Sequence, residues 1–267
     1  MNFLDLLPEK YRLILCDIWG CVHDGVHPYP SAEDRLLHWR SEGRTIVLIT
    51  NAPRTTEAVE EQLLRIGLAR EAWDSIATSG EAGIAAVKLA GSPVGFIGTH
   101  ADREILESRQ VRIAADERFT ELVCTGLDER RRHVDEYRLE LERLADRDVL
   151  MHCLNPDRMV IRGGIPEACA GALADVYEGI GGRVEWYGKP FPAIYRHALK
   201  LAKDPPASEV LAIGDGLQTD VLGAARMGFD TVFVRGGIHA GEPFPPDFGP
   251  ENGLGDWQPV AVVDSLG

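Results

Sequence analysis

Short apolar runs of strand type alternate with segments of helical spacing along almost the whole chain, and this alternation limits the fold more than any other feature. RLILCD, TIVLIT, VLAIGDG and DTVFVRGG each run into a polar or glycine-containing turn. Strands that read as near-continuous apolar runs are covered on both faces, which is how strands of a parallel sheet look. Strand and helix in regular succession define an α/β fold with mainly parallel strands.

The succession can be followed in detail. A helix is predicted over Ser31–Glu42, with Ser31 as N-cap and Gly43 as its stop. NAPRTT leads into a helix ending near Gly67, and SIATSG opens another strand–turn–helix unit. From 92 to 184 the pattern repeats as strand VGFIG, helix 101–109, strand ELVCTGL, helix 129–146, strand VLMHCL, turn NPDR and helix 166–179. Mixed charge in ERRRHVDEYRLELERLADRD reads as a solvated helix face, not a recognition surface. A last helix is predicted over 219–227, a Pro- and Gly-rich loop over 241–258, and an edge strand in VAVVDSL. Length, 267 residues, allows one large domain or two unequal ones.

Charge narrows the partners. A net charge of −14, spread along the chain, argues against a nucleic-acid or anionic-membrane partner. A small anionic substrate then needs a local positive site, which a metal ion would supply. The five cysteines, at 16, 21, 124, 153 and 169, lack CxxC spacing and read as reduced, buried thiols of a cytoplasmic protein. MNFLDLLPEKYR has neither a basic start nor a long apolar run, so no signal peptide is expected, and no stretch approaches the ~20 apolar residues of a membrane span. GGIHAG, at 236–241, lacks a dinucleotide fingerprint.

Four short motifs fall at or beside predicted strand ends, where open α/β sheets place their sites. They are Asp17 in CDIWG, Thr50-Asn51 in LITN, Lys189 in YGKP, and Asp215 with Asp220 in GDGLQTD. Each residue type has a task in phosphoryl transfer. Asp17 can attack phosphorus and form an aspartyl-phosphate, splitting one hard hydrolysis into two steps. Magnesium can bridge Asp17, Asp215 and the phosphate. The Thr50 hydroxyl and the N–H groups around Asn51 can hold phosphate oxygens, and Lys189 can neutralise the transferring group. Asp220 can orient Lys189 or a metal-bound water. Each motif alone is ordinary turn chemistry; Asp17 could be a turn or cap residue, and GDGLQTD an Asx-turn before an N-cap at Thr219.

Taken together, the motifs resemble those of the haloacid dehalogenase-like (HAD) hydrolase superfamily, above all subclass IIA, whose α/β cap is inserted between the second and third motifs. TSGEAGIAAVKL, TGLDERRRHVDEY, LNPD, GKPFPAIYRHAL and GDGLQTDVLGAARMGFDTVFVRGG carry the likeness, which extends over residues 11–237. It implies a Rossmann-like, doubly wound parallel core of residues 1–80 and 185–267 and a smaller cap of residues 81–184. It also implies Asp17 as nucleophile, Thr50, Asn51 and Lys189 as phosphate contacts, and Asp17, Asp215 and the backbone carbonyl of Trp19 as Mg2+ ligands. The subclass includes phosphatases of sugar phosphates, nucleotides, phosphoglycolate and pyridoxal phosphate.

Such proteins usually read Asp-x-Asp-Gly, where the second Asp is the general acid; here that position is Trp19. Indole offers an N–H but no titratable proton near neutral pH. The expectation is a phosphatase of a small phosphorylated metabolite that lacks the usual acid, favours good leaving groups, or uses His23 or Asp24 instead. The alternative is a catalytically weak phosphometabolite-binding or regulatory protein on the same scaffold; metal-free carbon–halogen hydrolysis is a third reading. Substrate choice is expected in the cap, at Asn155, Asp157, Arg158 and Arg162, and exposed cap surfaces are compatible with a homodimer.

Overall fold

The computed structural model describes residues 3–162, 165–236 and 243–267; GGIHAG beyond Gly236 lies outside them. In chain order the elements are β1 (Leu13–Asp17), α1 (Pro30–Ser41), β2 (Thr45–Thr50), α2 (Thr56–Arg65), β3 (Ser75–Thr78), α3 (Ser79–Ala90), β4 (Gly95–Ile97) and α4 (His100–Ser108). There follow β5 (Glu121–Cys124), α5 (Arg138–Asp146), β6 (Leu150–Cys153), β7 (Met159–Arg162), β8 (Ile165–Ala168), α6 (Ala170–Gly179) and β9 (Arg183–Trp186). The chain closes with α7 (Pro192–Leu201), β10 (Val210–Gly214), α8 (Leu222–Arg226), β11 (Asp230–Val234), α9 (Phe248–Glu251) and β12 (Ala261–Val263). No helix among the described residues is long and apolar enough to cross a membrane.

Two compact units result: Met1–Thr50, Thr56–Ala77 and Lys189–Gly267 form the first, and Asn51–Thr55 with Thr78–Gly188 form the second. The first holds a parallel six-stranded sheet in the order β12-β11-β10-β1-β2-β3. Strand order reverses at β1, so right-handed crossovers send helices to both faces, which makes the sheet doubly wound. Every residue of β1 and β10 is buried, as the apolar runs LILC and VLAI require, and Asp17 at the end of β1 is buried with them. On one face Leu13, Leu15, Val47 and Ile49 pack with Ile194, Tyr195 and Ala198 of α7. The edge strand expected in VAVVDSL is β12, paired with β11.

The second unit has a parallel four-stranded sheet, β4-β5-β6-β9. The unit also contains a separate antiparallel hairpin of β7 and β8. The expected helix 166–179 is therefore too long: residues 165–168 are strand, and α6 starts at Ala170. The expected helix 129–146 also starts later. The Asp128 carboxylate accepts the N–H groups of Arg130 and Arg131, a local turn that competes with helix, and α5 begins at Arg138 after a 3-10 turn over Val134–Tyr137. In α1 the N-cap is Tyr29, not Ser31, because Pro30, with φ preset and no N–H to satisfy, opens the helix.

Candidate active site

Register brings the strand-end motifs of the first unit together. Cys16 stands opposite Ile213 of β10, so Asp17 ends β1 beside Gly214 and its successor Asp215. On the other side Asp17 faces Ile49, one residue before Thr50 at the end of β2. This is the carboxyl-end crevice where the strand order reverses, the usual ligand position in open α/β sheets. Asp17, Asp215, Asp220 and Lys189 are all buried there.

Lys189 ties two of the carboxylates. Its Nζ donates to Asp17 Oδ1 and, at 2.7 Å, to Asp220 Oδ1. The second Asp220 oxygen accepts the N–H of Gly216 and the hydroxyl of Thr219, each at 3.2 Å. Asp220 lies in a π-helical turn, Leu217–Val221, where a plain helix over 219–227 was expected; the N-cap of that turn is Gly216, not Thr219. Tyr195 of α7 donates its hydroxyl to the carbonyls of Thr219 and Asp220, a brace that the sequence motifs did not single out. Its only sequence signal was its place in GKPFPAIYRHAL, one helical face behind Lys189.

The electrostatics show a deficit of positive charge. Burial, then the carboxylates of Asp220 and Asp215, push Asp17 well above the usual carboxylate range despite Lys189. Lys189 moves upward too: burial opposes its charge, but attraction to Asp17 and Asp220 outweighs it. Fully ionised, three carboxylates face one ammonium.

A metal-competent donor set sits at the same point. Ligand atoms of Asp17, Asp215 and Cys21 all lie within 4.8 Å of one another, and all three residues are buried. Gly20 (φ +77°) completes the cradle: a Cβ there would lie 2.1 Å from Asp215 Oδ2, so the carboxylate fits only against a glycine. Two buried carboxylates short of compensating charge suit a hard divalent cation such as magnesium.

The turn after Asp17 carries the other named residues. Trp19 is 54% exposed; its indole lies against Gly25 and meets the His23 ring edge-on, with centroids 5.5 Å apart. His23 is buried, its Nδ1 accepts the N–H of Gly25 at 2.8 Å, and burial lowers its pKa. Asp24 accepts the N–H groups of His27 and Val26, which hold its carboxyl below the usual range.

The remaining expected substrate residues belong to the second unit. Asn51 Nδ2 donates to Asp157 Oδ1 at 2.8 Å, and Asn155 Oδ1 accepts the N–H of Asp157 at 3.1 Å. Arg158 pairs with Asp175 through Nε and Nη2, donates to the carbonyl of Pro156 and covers the ring of Trp186. A buried group there went unnoticed as a unit: His152 Nδ1 meets the Tyr187 hydroxyl at 2.8 Å, and its Nε2 meets Glu121 at 3.2 Å.

Comparison with known proteins agrees with this layout. A sequence profile described as haloacid dehalogenase-like hydrolase matches residues 14–112, and a HAD-hydrolase-like profile matches residues 186–267. The crystal structure of a haloacid dehalogenase-like hydrolase from Brucella suis 1330 is 33% identical, covers 100% of both chains and superposes with a TM-score of 0.84. An acid sugar phosphatase of Staphylococcus epidermidis is 27% identical over 86% of this chain and 88% of its own length. A p-nitrophenyl phosphatase from Archaeoglobus fulgidus shares the fold, with a TM-score of 0.77 at 24% identity over 96% of this chain and 97% of its own. This chain therefore belongs to the haloacid dehalogenase-like hydrolases. Within them it falls in subclass IIA, with the second sheet as the α/β cap unit, and it is a phosphatase.

Proposed function

We propose that this phosphatase hydrolyses a small phosphorylated metabolite of the sugar-phosphate type, with magnesium, through an aspartyl-phosphate on Asp17 and without the usual general acid. The buried grouping of Asp17 with Lys189, Asp220 and Asp215 at the ends of β1 and β10 carries the reading. The acid sugar phosphatases among its relatives support the substrate class.

In this reading an Asp17 oxygen attacks phosphorus as the ester P–O bond breaks and the alkoxide leaves; water then cleaves the acyl phosphate, restoring the carboxylate and releasing phosphate. Lys189 places its charge beside the attacking oxygen, and Asp220 fixes its direction. The Thr50 hydroxyl and the N–H groups around Asn51 hold phosphate oxygens. Asp17, Asp215 and the carbonyl of Trp19 would hold magnesium, which when bound offsets repulsion between carboxylate and phosphate. The inserted cap, residues 81–184, is the specificity domain, and Asn155, Asp157 and Arg158 are its substrate contacts.

Trp19 supplies no proton to the leaving group. In this reading neither His23, buried with Nδ1 accepting the N–H of Gly25, nor Asp24, which accepts two N–H groups of its own turn, serves as the acid. General acid help is worth about 10²–10⁴ in rate, and the loss falls hardest on poor leaving groups.

Turnover of p-nitrophenyl phosphate and of a sugar phosphate, with and without magnesium, tests this on the wild type, Asp17→Asn and Trp19→Asp. Aryl-phosphate turnover should require Asp17 and magnesium, and Trp19→Asp should raise sugar-phosphate turnover towards that 10²–10⁴ range. Wild-type turnover of both substrates at the same rate would refute the missing acid. Binding of sugar phosphate without turnover of either substrate would favour the catalytically weak binding protein, for which the exposed indole at position 19 speaks.

A further inference from the structure

The cation site contains a group that phosphoryl transfer does not use. Cys21 Sγ lies within 4.8 Å of carboxylate oxygens of both Asp17 and Asp215. The turn Ile18–His23 sets it there: Val22 N–H donates to Ile18 O and Gly20 N–H to His23 O, which curls the chain back over the end of β1. A buried cysteine is most often a small packing group. The other four thiols fit that role and also satisfy their hydrogen, donating to the carbonyls of Asp17, Gly126, Asn155 and Glu167 from Cys16, Cys124, Cys153 and Cys169. Cys21 is 2% exposed, and its thiol has no hydrogen-bond partner among the described residues. It is a buried, unpartnered group aimed at the same point as two carboxylates.

We infer that Cys21 turns this site into a mixed carboxylate–thiolate site for thiophilic divalent ions of the zinc class, which bind through sulfur and silence Asp17. Magnesium, a hard ion, takes the carboxylates and leaves the sulfur aside; zinc, cobalt or cadmium recruits all three donors. On binding, the S–H bond breaks, a metal–sulfur bond forms and the proton passes to solvent, with no change of oxidation state. Held by Asp17, Asp215 and the Cys21 sulfur, a zinc-class ion would bind the Asp17 carboxylate more tightly than magnesium does and leave it a poorer nucleophile, so the phosphatase becomes sensitive to zinc. That last consequence rests on the proposed function; the sulfur ligation does not.

Cobalt(II) added to metal-stripped, full-length protein reads the inference directly, because thiolate–cobalt bonds give a charge-transfer band in the near ultraviolet that carboxylates do not. The wild type and Cys16→Ala should show the band, and Cys21→Ala and the near-isosteric Cys21→Ser should lose it. Losing a direct ligand should weaken zinc by at least the tenfold that loss of a mere supporting contact costs, about 10-fold or more, while magnesium affinity stays within about twofold. No band in the wild type at saturating cobalt, or an undiminished band in both Cys21 variants, overturns the inference. The band needs no substrate, so a band in a protein without phosphatase turnover refutes the proposed function and leaves the sulfur site standing.

Discussion

Lys189→Met is the most informative perturbation of the core unit. The ammonium bridges Asp17 and Asp220, and all three side chains are almost fully buried. Methionine keeps the aliphatic bulk and removes the charge, leaving two carboxylates facing each other out of water. Breaking a buried ion pair from one side costs about 3–5 kcal/mol. At roughly 2–4 °C per kcal/mol for a unit of this size, the corresponding melting transition should fall by about 6–20 °C. The loss should depend on pH. Asp17 already holds its proton above the ordinary 3.8, so the folded state binds more protons than the unfolded one, and stability from this group falls as pH rises above 3.8. Without Lys189 that window widens, so the deficit against wild type should be larger at about pH 8 than at about pH 5. Calorimetry at the two pH values, with and without magnesium, reads both effects; magnesium should raise the transition more in the variant, because the cluster it enters is more negative. A shift under about 2 °C, or a deficit indifferent to pH and magnesium, would refute the electrostatic account of the site.

Gly20→Ala should strain a left-handed backbone by about 1–3 kcal/mol and displace Asp215, weakening magnesium binding by about tenfold; an unchanged magnesium titration would contradict the cradle. His152, buried against Tyr187 and Glu121 with Glu185 nearby, has its pKa lowered mainly by burial. The unfolded chain therefore takes up the proton first, and stability is lost as pH falls below 6.5 towards the folded value. Urea unfolding of His152→Gln should show a shallower loss over that range, and a slope equal to wild type would acquit the imidazole. Arg158 and Asp175 are about half exposed, so Arg158→Ala should cost under about 1 kcal/mol. It should raise KM for a sugar phosphate and leave KM for p-nitrophenyl phosphate unchanged; two unchanged KM values would remove Arg158 from the substrate contacts.

What could be read from the chain follows from where each signal is stored. The strands β1, β2, β10 and β11 announce themselves because burial on both faces forces continuous apolar runs. Asp17 and Asp215 were nameable because each directly ends such a run. The hairpin of β7 and β8 was missed because Ile165–Ala168 reads IPEA, with alanine and glutamate that favour helix, and its pairing with β7 is tertiary information. Cys21 was legible as buried but not as a neighbour of Asp215, since the contact depends on β1 and β10 being adjacent. The His152 group spans three strands: Glu121 on β5, His152 on β6 and Tyr187 just past β9 meet only once the sheet order is set.

The charge of the site argues that the cation is no accessory to the proposed reaction. The chain carries −14 overall, so the long-range field repels a phosphorylated substrate. Locally, Lys189 is the only cation hydrogen-bonded to Asp17 or Asp220 among the described residues, and these two contacts join its Nζ to carboxylates. An incoming phosphate would then add negative charge to a cluster in which burial and like charges already push Asp17 towards neutrality. A protonated Asp17 cannot attack phosphorus. In the proposed reaction a bound +2 ion would both let substrate approach and lower the cost of ionising Asp17, so binding and nucleophile activation would fail together without it. Trp19 leaves this logic untouched, because the reading asks only a backbone oxygen of it for the ion. In the proposed reaction the tryptophan would act on a later event, the departure of the alkoxide, so its effect should scale with leaving-group basicity while the metal requirement stays the same for every substrate.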